Sequence, residues 1–218
     1  MNSYQNLVLL QNLYRLKSAG FQYVQPFEIN HTSLSANYNS FATLYNDILK
    51  CHLCDLSKSR KQSMVGFGNP QADVMIIDFY VSEMQNMNND YFVGRSGEIL
   101  KNMVENVLKL PISEIYYTHE VKCKPLNSNM PSASEFNSCK NYLFAQIKLV
   151  QPKVIVTLGE ESYKNLVTNG EDFQKVRGHD IDFLATKLVP IYHPLHLLRN
   201  PELKKVTLKD LNKIKSFL

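Results

Sequence analysis

The spacing of apolar and polar positions changes partway along the chain. Residues from about Gln5 to Ser18 read as a helix broken at Gly20, followed by a polar, Asn/Ser-rich stretch that includes HTSLSANYNS at residues 31–40. From Asn69 onward, short apolar runs alternate with amphipathic ones. Asn69-Pro70 is a turn signal. Ala72 to Asp78 (ADVMIID) is almost continuously apolar, as expected of a strand covered on both faces. Ile115–Thr118, Lys153–Leu158 (KVIVTL) and Leu188–Tyr192 read as three more strands. Between them, Glu98 to Leu110 carries Leu100, Met103, Val104, Val107 and Leu108 as one helical stripe stopped by Pro111. Ser132 with Glu135 is a capping-box pair, opening a helix to about Leu149 that buries Phe136, Cys139, Leu143 and Ile147. Gly159 closes the third strand before a helix to about Val167, and Leu203–Leu218 forms a last amphipathic helix.

Strands alternating with helices imply an α/β fold with a parallel sheet covered on both faces. Ligands of such sheets bind beyond the carboxyl ends of the strands, so the loops after Asp78, Thr118, Leu158 and Tyr192 are the places to look for a site. The pattern divides the chain into an N-terminal helical extension, residues 1–45, and one domain, residues 46–218.

Composition narrows the class. With 218 residues, 44% apolar and 20% charged, the chain has a globular make-up and enough length to fold without disulfide staples. No apolar run approaches the roughly 18–20 residues of a spanning helix. The opening MNSYQNLVLL lacks the cationic start and cleavage site of a signal peptide. A cytoplasmic protein is expected, with no membrane partner and its cysteines unpaired. The net charge of +4 is mild, but Lys204 to Lys215 holds five lysines against one aspartate. That segment is either a solvated helix face or a phosphate-facing patch.

All four cysteines fall in one arrangement, with Cys51 and Cys54 as C-x2-C, then Cys123, then Cys139. A C-x2-C pair grips one metal centre from a tight loop, and the remaining ligands must come from folding. Cys139 on its apolar stripe also suits a plain core position. Cys51 and Cys54, beside His52 and Asp55 in a polar segment, do not. Spacing leaves zinc and iron–sulfur both open.

Several further motifs resemble the family 4, iron–sulfur-containing uracil-DNA glycosylases. They are VGFGNPQADVM (65–75), FVGRSG (92–97), IYYT and VKCKP (115–125), Pro131, PKVIVTLG (152–159), Arg177-Gly178 and YHPLHLLRNP (192–201), together with the four cysteines. The resemblance covers about 160 residues from Cys51 onward and leaves the first 45 outside it. It implies a three-layer α/β/α sandwich with a four-stranded parallel sheet, a [4Fe–4S] cluster on Cys51, Cys54, Cys123 and Cys139, and a monomer acting on DNA with a flipped-out uracil or damaged base.

Base excision passes through an oxocarbenium-like sugar and an anionic leaving base, so it needs stacking, edge reading and charge stabilisation on the base oxygen. The resemblance assigns stacking to Phe92 and the base O2 contact to His193. It makes residues 195–199 a minor-groove loop, with Leu195 and Leu197 as apolar wedges and Arg199 near a phosphate, core packing of Leu197 and Leu198 being the equal alternative. Lys204 and Lys205 follow as further phosphate contacts. Two positions depart from the family. Its Gly-Glu-x-Pro-Gly loop is replaced by Asp78-Phe79-Tyr80-Val81-Ser82, which puts Phe79 in the base pocket at the glutamate that handles water. Asp78 or Glu83 must then supply any carboxylate. His119 stands where the family has an asparagine reading the uracil edge, and a neutral imidazole offers one donor and one acceptor where the amide offers more. The sequence therefore predicts a DNA glycosylase of altered mechanism or base preference. A non-catalytic DNA- or damaged-base-binding relative is the alternative.

Overall fold

A computed structural model describes residues 38–126, 130–167 and 170–218, together with Gln11, Tyr14, Arg15, Lys17, Ser18 and Gly20. The chain divides into two units, residues 1–36 and 37–218. In the first, the described residues between Gln11 and Ser18 are helical and Gly20 takes φ +89°, its N–H bonding the Lys17 carbonyl at 3.1 Å. The rest of the helix expected from Gln5, and the polar stretch through residue 37, lie outside the described residues.

The larger unit is built on one sheet. Its strands are β1 (Phe67–Gly68), β2 (Val74–Tyr80), β3 (Tyr116–Val121), β4 (Val154–Leu158), β5 (Ile181–Phe183) and β6 (Thr186–Ile191), in the order β1-β3-β2-β4-β6-β5. The four inner strands are parallel, as the sequence implies, and the two short outer ones run antiparallel. A pure four-stranded parallel sheet is therefore extended to six strands. The added edges are too short to leave an apolar run, and β5 reaches β6 through a tight turn with Leu184 at φ 54°. Strand β3 also runs on to Val121, because His119 and Glu120 are buried polar residues that end the apolar run without ending the strand.

Helices cover both faces. Alternation along β3 points Tyr116, Thr118 and Glu120 to one face, under α4 (Ala133–Val150) and α5 (Glu160–Leu166). Helix α4 opens on the capping box expected at Ser132, whose hydroxyl accepts from the Glu135 N–H at 3.3 Å. Helix α1 (Phe41–Leu49) packs on α4 and buries Leu44 and Ile48 completely. It runs across residue 45, where the pattern had set the start of the domain, and the compact unit begins at Asn37.

The opposite face carries α3 (Gly94–Asn102), which continues as a π-helical turn over Met103–Leu108, with α7 (Pro194–Arg199) and α8 (Lys204–Ile214) packed against these. Helix α3 starts four residues before the expected Glu98. Gly94 at φ +76° allows that sharp entry, and a side chain on Gly97 would collide with the Phe92 carbonyl. The glycines of FVGRSG thus serve a helix folded back on the chain just before it. The remaining short helices are α2 (Glu83–Asn88) and α6 (Phe173–Val176). Among the described residues, no helix is long and apolar enough to cross a membrane.

Candidate active site

From β2 the chain moves through β3 on one side and through β4 to β6 on the other, so the direction of winding reverses between β2 and β4. A crevice opens at the carboxyl ends of strands at such a switch point. A cleft of about 820 Å³ lies there, lined by Asp78–Tyr80 after β2, Leu158–Glu161 after β4 and Tyr192–His196 after β6. Three of the four loops expected from the pattern meet in it.

The sheet register brings two ionisable groups together at its floor. Asp78 pairs with His119 across β2 and β3, Leu158 pairs with Ile191 across β4 and β6, and His193 lies two residues beyond that. His193 is the N-cap of α7, with Pro194 at the first helical position, where a missing N–H costs nothing. Its Nδ1 accepts from the Leu195 N–H at 3.0 Å. The proton of the neutral ring is thereby fixed on Nε2, which faces Asp78 Oδ2 at 3.3 Å. The same Oδ2 accepts from the Tyr117 hydroxyl at 3.0 Å, and Oδ1 accepts from the Phe79 N–H at 2.7 Å.

These contacts set the charges. Burial pushes the Asp78 carboxyl up, but the His193 charge and hydrogen bond, with His119 and the Phe79 N–H, outweigh it and hold the pKa at about 2. Burial pulls His193 down, and the Asp78 carboxylate more than offsets that, leaving its pKa raised. Burial, aided by the Lys122 and His193 charges and opposed by Asp78, takes His119 down to about 4, so its imidazole is neutral at pH 7.

Phe92 and His119 are not on the cleft wall. Phe92 is 9% exposed, packed with Phe67 at 5.3 Å and beneath the Tyr117 ring at 5.5 Å. His119 is fully buried, its ring 5.1 Å from Tyr117 and 5.8 Å from Tyr91, and its Nδ1 has no hydrogen-bond partner. The physical reason is the period of two along β3, which puts Tyr117 on the same face as His119 and fills the space in front of both. Phe79 does line the cleft and meets Tyr80 edge-on at 5.3 Å. Glu83, the other carboxylate weighed for water, opens α2, lines the same cleft and forms an ion pair with Lys124.

Of the residues expected to face DNA, Leu195 is 44% exposed at the cleft mouth, and Arg199, Lys204 and Lys205 are exposed. Leu197 is 1% exposed and belongs to the core, because α7 turns it inward against the sheet layer. Sequence reasoning missed Tyr117, Tyr91 and Gln85. Gln85 had a readable signal, since Ser82 and Gln85 make a capping box that starts α2. Arg177, matched only as part of a motif, is ion-paired with Asp210 and sits 5.0 Å over the Tyr192 ring, bracing the residue before His193.

Three of the four cysteines, Cys54, Cys123 and Cys139, gather in one cluster, and Cys51 is near enough to act on Cys54 and Cys123 electrostatically. Cys51 follows α1, Cys54 precedes a single 3-10 turn, Cys123 follows β3 and Cys139 lies on α4. Cys123 and Cys139 are buried with Leu56, Val121 and Phe136, and Cys54, Phe79 and Tyr80 pack against them. Burial pushes the Cys139 thiol up to about 12, and neighbouring Cys123 and Cys54 add to the rise. Burial likewise raises Cys123, which Cys54 and Cys51 push further while Arg60 opposes. Arg60 donates to Cys123 Sγ at 3.2 Å and to the Leu49 and Cys51 carbonyls at 3.1 and 2.8 Å. The donor set is all sulfur, in an apolar pocket with one fixed cation, which suits a soft, anionic metal centre. Among the described residues, no three His, Cys, Asp or Glu side chains form a cage for a single metal ion.

The family model for the uracil DNA glycosylase superfamily matches residues 65–213. The type-4 uracil-DNA glycosylase of Sulfurisphaera tokodaii is 32% identical over 185 residues, covering 81% of this chain and 84% of that protein. The type-4 uracil-DNA glycosylase of Thermotoga maritima is 34% identical over 175 residues, covering 78% and 91%. A DNA polymerase of Bacillus phage SP01 is 28% identical over 163 residues, which span 75% of this chain but 18% of the polymerase.

Proposed function

The chain belongs to the uracil DNA glycosylase superfamily, and on that footing we propose that it excises uracil, or a damaged base of similar shape, from DNA by hydrolysing the N-glycosidic bond. One observation carries the assignment of roles: the Asp78–His193 pair at the floor of the cleft, with the His193 proton held on Nε2 by the Leu195 N–H.

Cleavage leaves positive charge on the sugar and negative charge on the base. With a base in the cleft, the single Nε2–H of His193 changes partner from Asp78 to the departing base oxygen as that charge develops. Its Nδ1 is already an acceptor from Leu195, so the proton it offers is the one on Nε2. Asp78, ionised throughout the neutral range, faces the developing cation and orients the attacking water. The carboxylate has thus moved one residue upstream of the position that Phe79 occupies. Leu195, exposed at the cleft mouth, fills the gap left by the flipped nucleotide, and Arg199, Lys204 and Lys205 engage phosphates.

Cys51, Cys54, Cys123 and Cys139 hold a [4Fe–4S] cluster in this reading, supported by the all-sulfur donor set and by relatives of the type-4 class. Such a cluster bound there braces the loops behind Phe79 and Tyr80. Four unpaired cysteines also favour a reducing, cytoplasmic setting, and the protein is taken to act as a monomer.

The test incubates anaerobically purified protein with end-labelled DNA containing one uracil, alongside thymine and hypoxanthine controls, and cleaves abasic sites with alkali. Uracil-dependent strand cleavage that His193→Ala removes supports the assignment. Tight binding to the same DNA with no abasic product means a damaged-base-binding relative instead.

A further inference from the structure

Tyr117 is 1% exposed yet forms part of the cleft wall, in contact with Phe92, Asp78, His119 and Gln85. Its ring lies against Phe92 at 5.5 Å with the planes 33° apart. Its hydroxyl donates to Asp78 Oδ2 at 3.0 Å, with His119 Nε2 at 3.4 Å and Gln85 Nε2 at 3.5 Å from the same oxygen. We propose that Tyr117 is a specificity-determining and positioning residue, which sets how deeply a base enters the cleft and shares the Asp78 carboxylate with His193, moderating that pairing. This rests on the glycosylase reading above and adds the residue that decides the base.

The depth argument is geometric. A base entering the cleft meets the Tyr117 ring, while Phe92 and His119 lie behind it. His119 Nε2 meets the Tyr117 hydroxyl at 3.4 Å, and its Nδ1 is buried and unpartnered. With Tyr117 in place nothing in the cleft reaches it. Shortening Tyr117 uncovers the Phe92 face and frees His119 Nε2, the ring nitrogen that the phenol meets at 3.4 Å, for a base edge, so larger bases fit. The positioning argument is chemical. The phenol donates to the same carboxylate oxygen that faces His193 Nε2, so the two donors share one anion. Removing the hydroxyl leaves the anion to His193 and strengthens that pairing. The titratable groups facing Asp78 are His193 beyond β6 and Tyr117 and His119 on β3, while Glu120, turned to the far face of β3, acts only through its charge.

Two variants separate the parts. In Tyr117→Phe the wall stays, so the ratio of hypoxanthine to uracil excision should hold within about twofold. The His193 imidazole, followed by NMR across pH 5–9, should titrate about half a pH unit higher. A structural role alone does not predict that shift. In Tyr117→Leu the hypoxanthine-to-uracil ratio should rise at least about tenfold, equivalent to about 1.4 kcal/mol. Calorimetry should also show free hypoxanthine binding that the wild type lacks. An unchanged His193 titration overturns the positioning role, and an unchanged base range with no gain in free-base binding overturns the depth role. If Tyr117→Leu does not fold, Tyr117→Met takes its place in the same measurements. If the wild type excises no base, the glycosylase reading falls, while the NMR and calorimetry still decide the proposal.

Discussion

Replacing Asp78 by Asn keeps the shape of the side chain and removes its charge, and two consequences can be worked out. The carboxyl sits at about 2 in the folded protein against an ordinary 3.8. A depressed carboxyl contributes stability that is complete above about pH 4 and is lost as pH falls through 2. The difference of nearly two units corresponds to about 2 kcal/mol, and the pair with His193 is one interaction, so it is counted once. Urea unfolding at several pH values should therefore show the wild type losing about 2 kcal/mol relative to Asp78→Asn between pH 5 and pH 2. The second consequence concerns His193. Burial pulls its pKa down and Asp78 pulls it up, so without the carboxylate only burial remains and His193 should titrate below 6.5. Imidazole NMR on labelled protein, with His193→Gln to identify the signal, reads this directly. If His193 in Asp78→Asn still titrates above 6.5, the raised value has another cause and the pairing does not set the charge of the site.

His193→Ala should lower turnover on uracil-containing DNA by about 10²–10³-fold, the usual worth of one donor at a developing oxyanion, and by more than Asp78→Asn does. Protein purified without oxygen should be brown and carry iron, and Cys123→Ser should lose that colour; stoichiometric zinc without iron would refute the cluster assignment. Neutralising Arg199, Lys204 and Lys205 together should weaken duplex binding and flatten its salt dependence by about one unit of slope for each phosphate that is no longer engaged. Unchanged affinity and slope would make these three side chains an ordinary solvated surface.

Much of the scaffold was legible because it rests on local signals. The apolar runs gave all four parallel strands, Ser132 and Glu135 gave the start of α4, and the ends of β2 and β6 pointed to Asp78 and His193. The short edges β1 and β5 were not legible, since two or three residues carry no period. Leu195 and Leu197 show the same limit at one site. They stand two residues apart in one motif, but a helix turns them about 200° from each other, so one reaches the cleft and the other enters the core.

Tyr117 marks the point where reading by position stops working. In sequence it is one apolar letter in a strand, two residues before His119, and the period of two says only that both face the same layer. Which of them meets the cleft depends on the size of the outer one. A small residue at 117 would leave His119 and Phe92 open to the cleft, whereas a tyrosine with its hydroxyl on Asp78 covers them. The departure at 119 therefore has no meaning by itself. A histidine replaces the expected edge reader in the same chain that covers that position with a phenol and brings in a carboxylate at 78 to accept it. The three side chains form one hydrogen-bonded unit, and a change in base preference has to be sought in the unit, with single replacements at 119 expected to do little while Tyr117 remains.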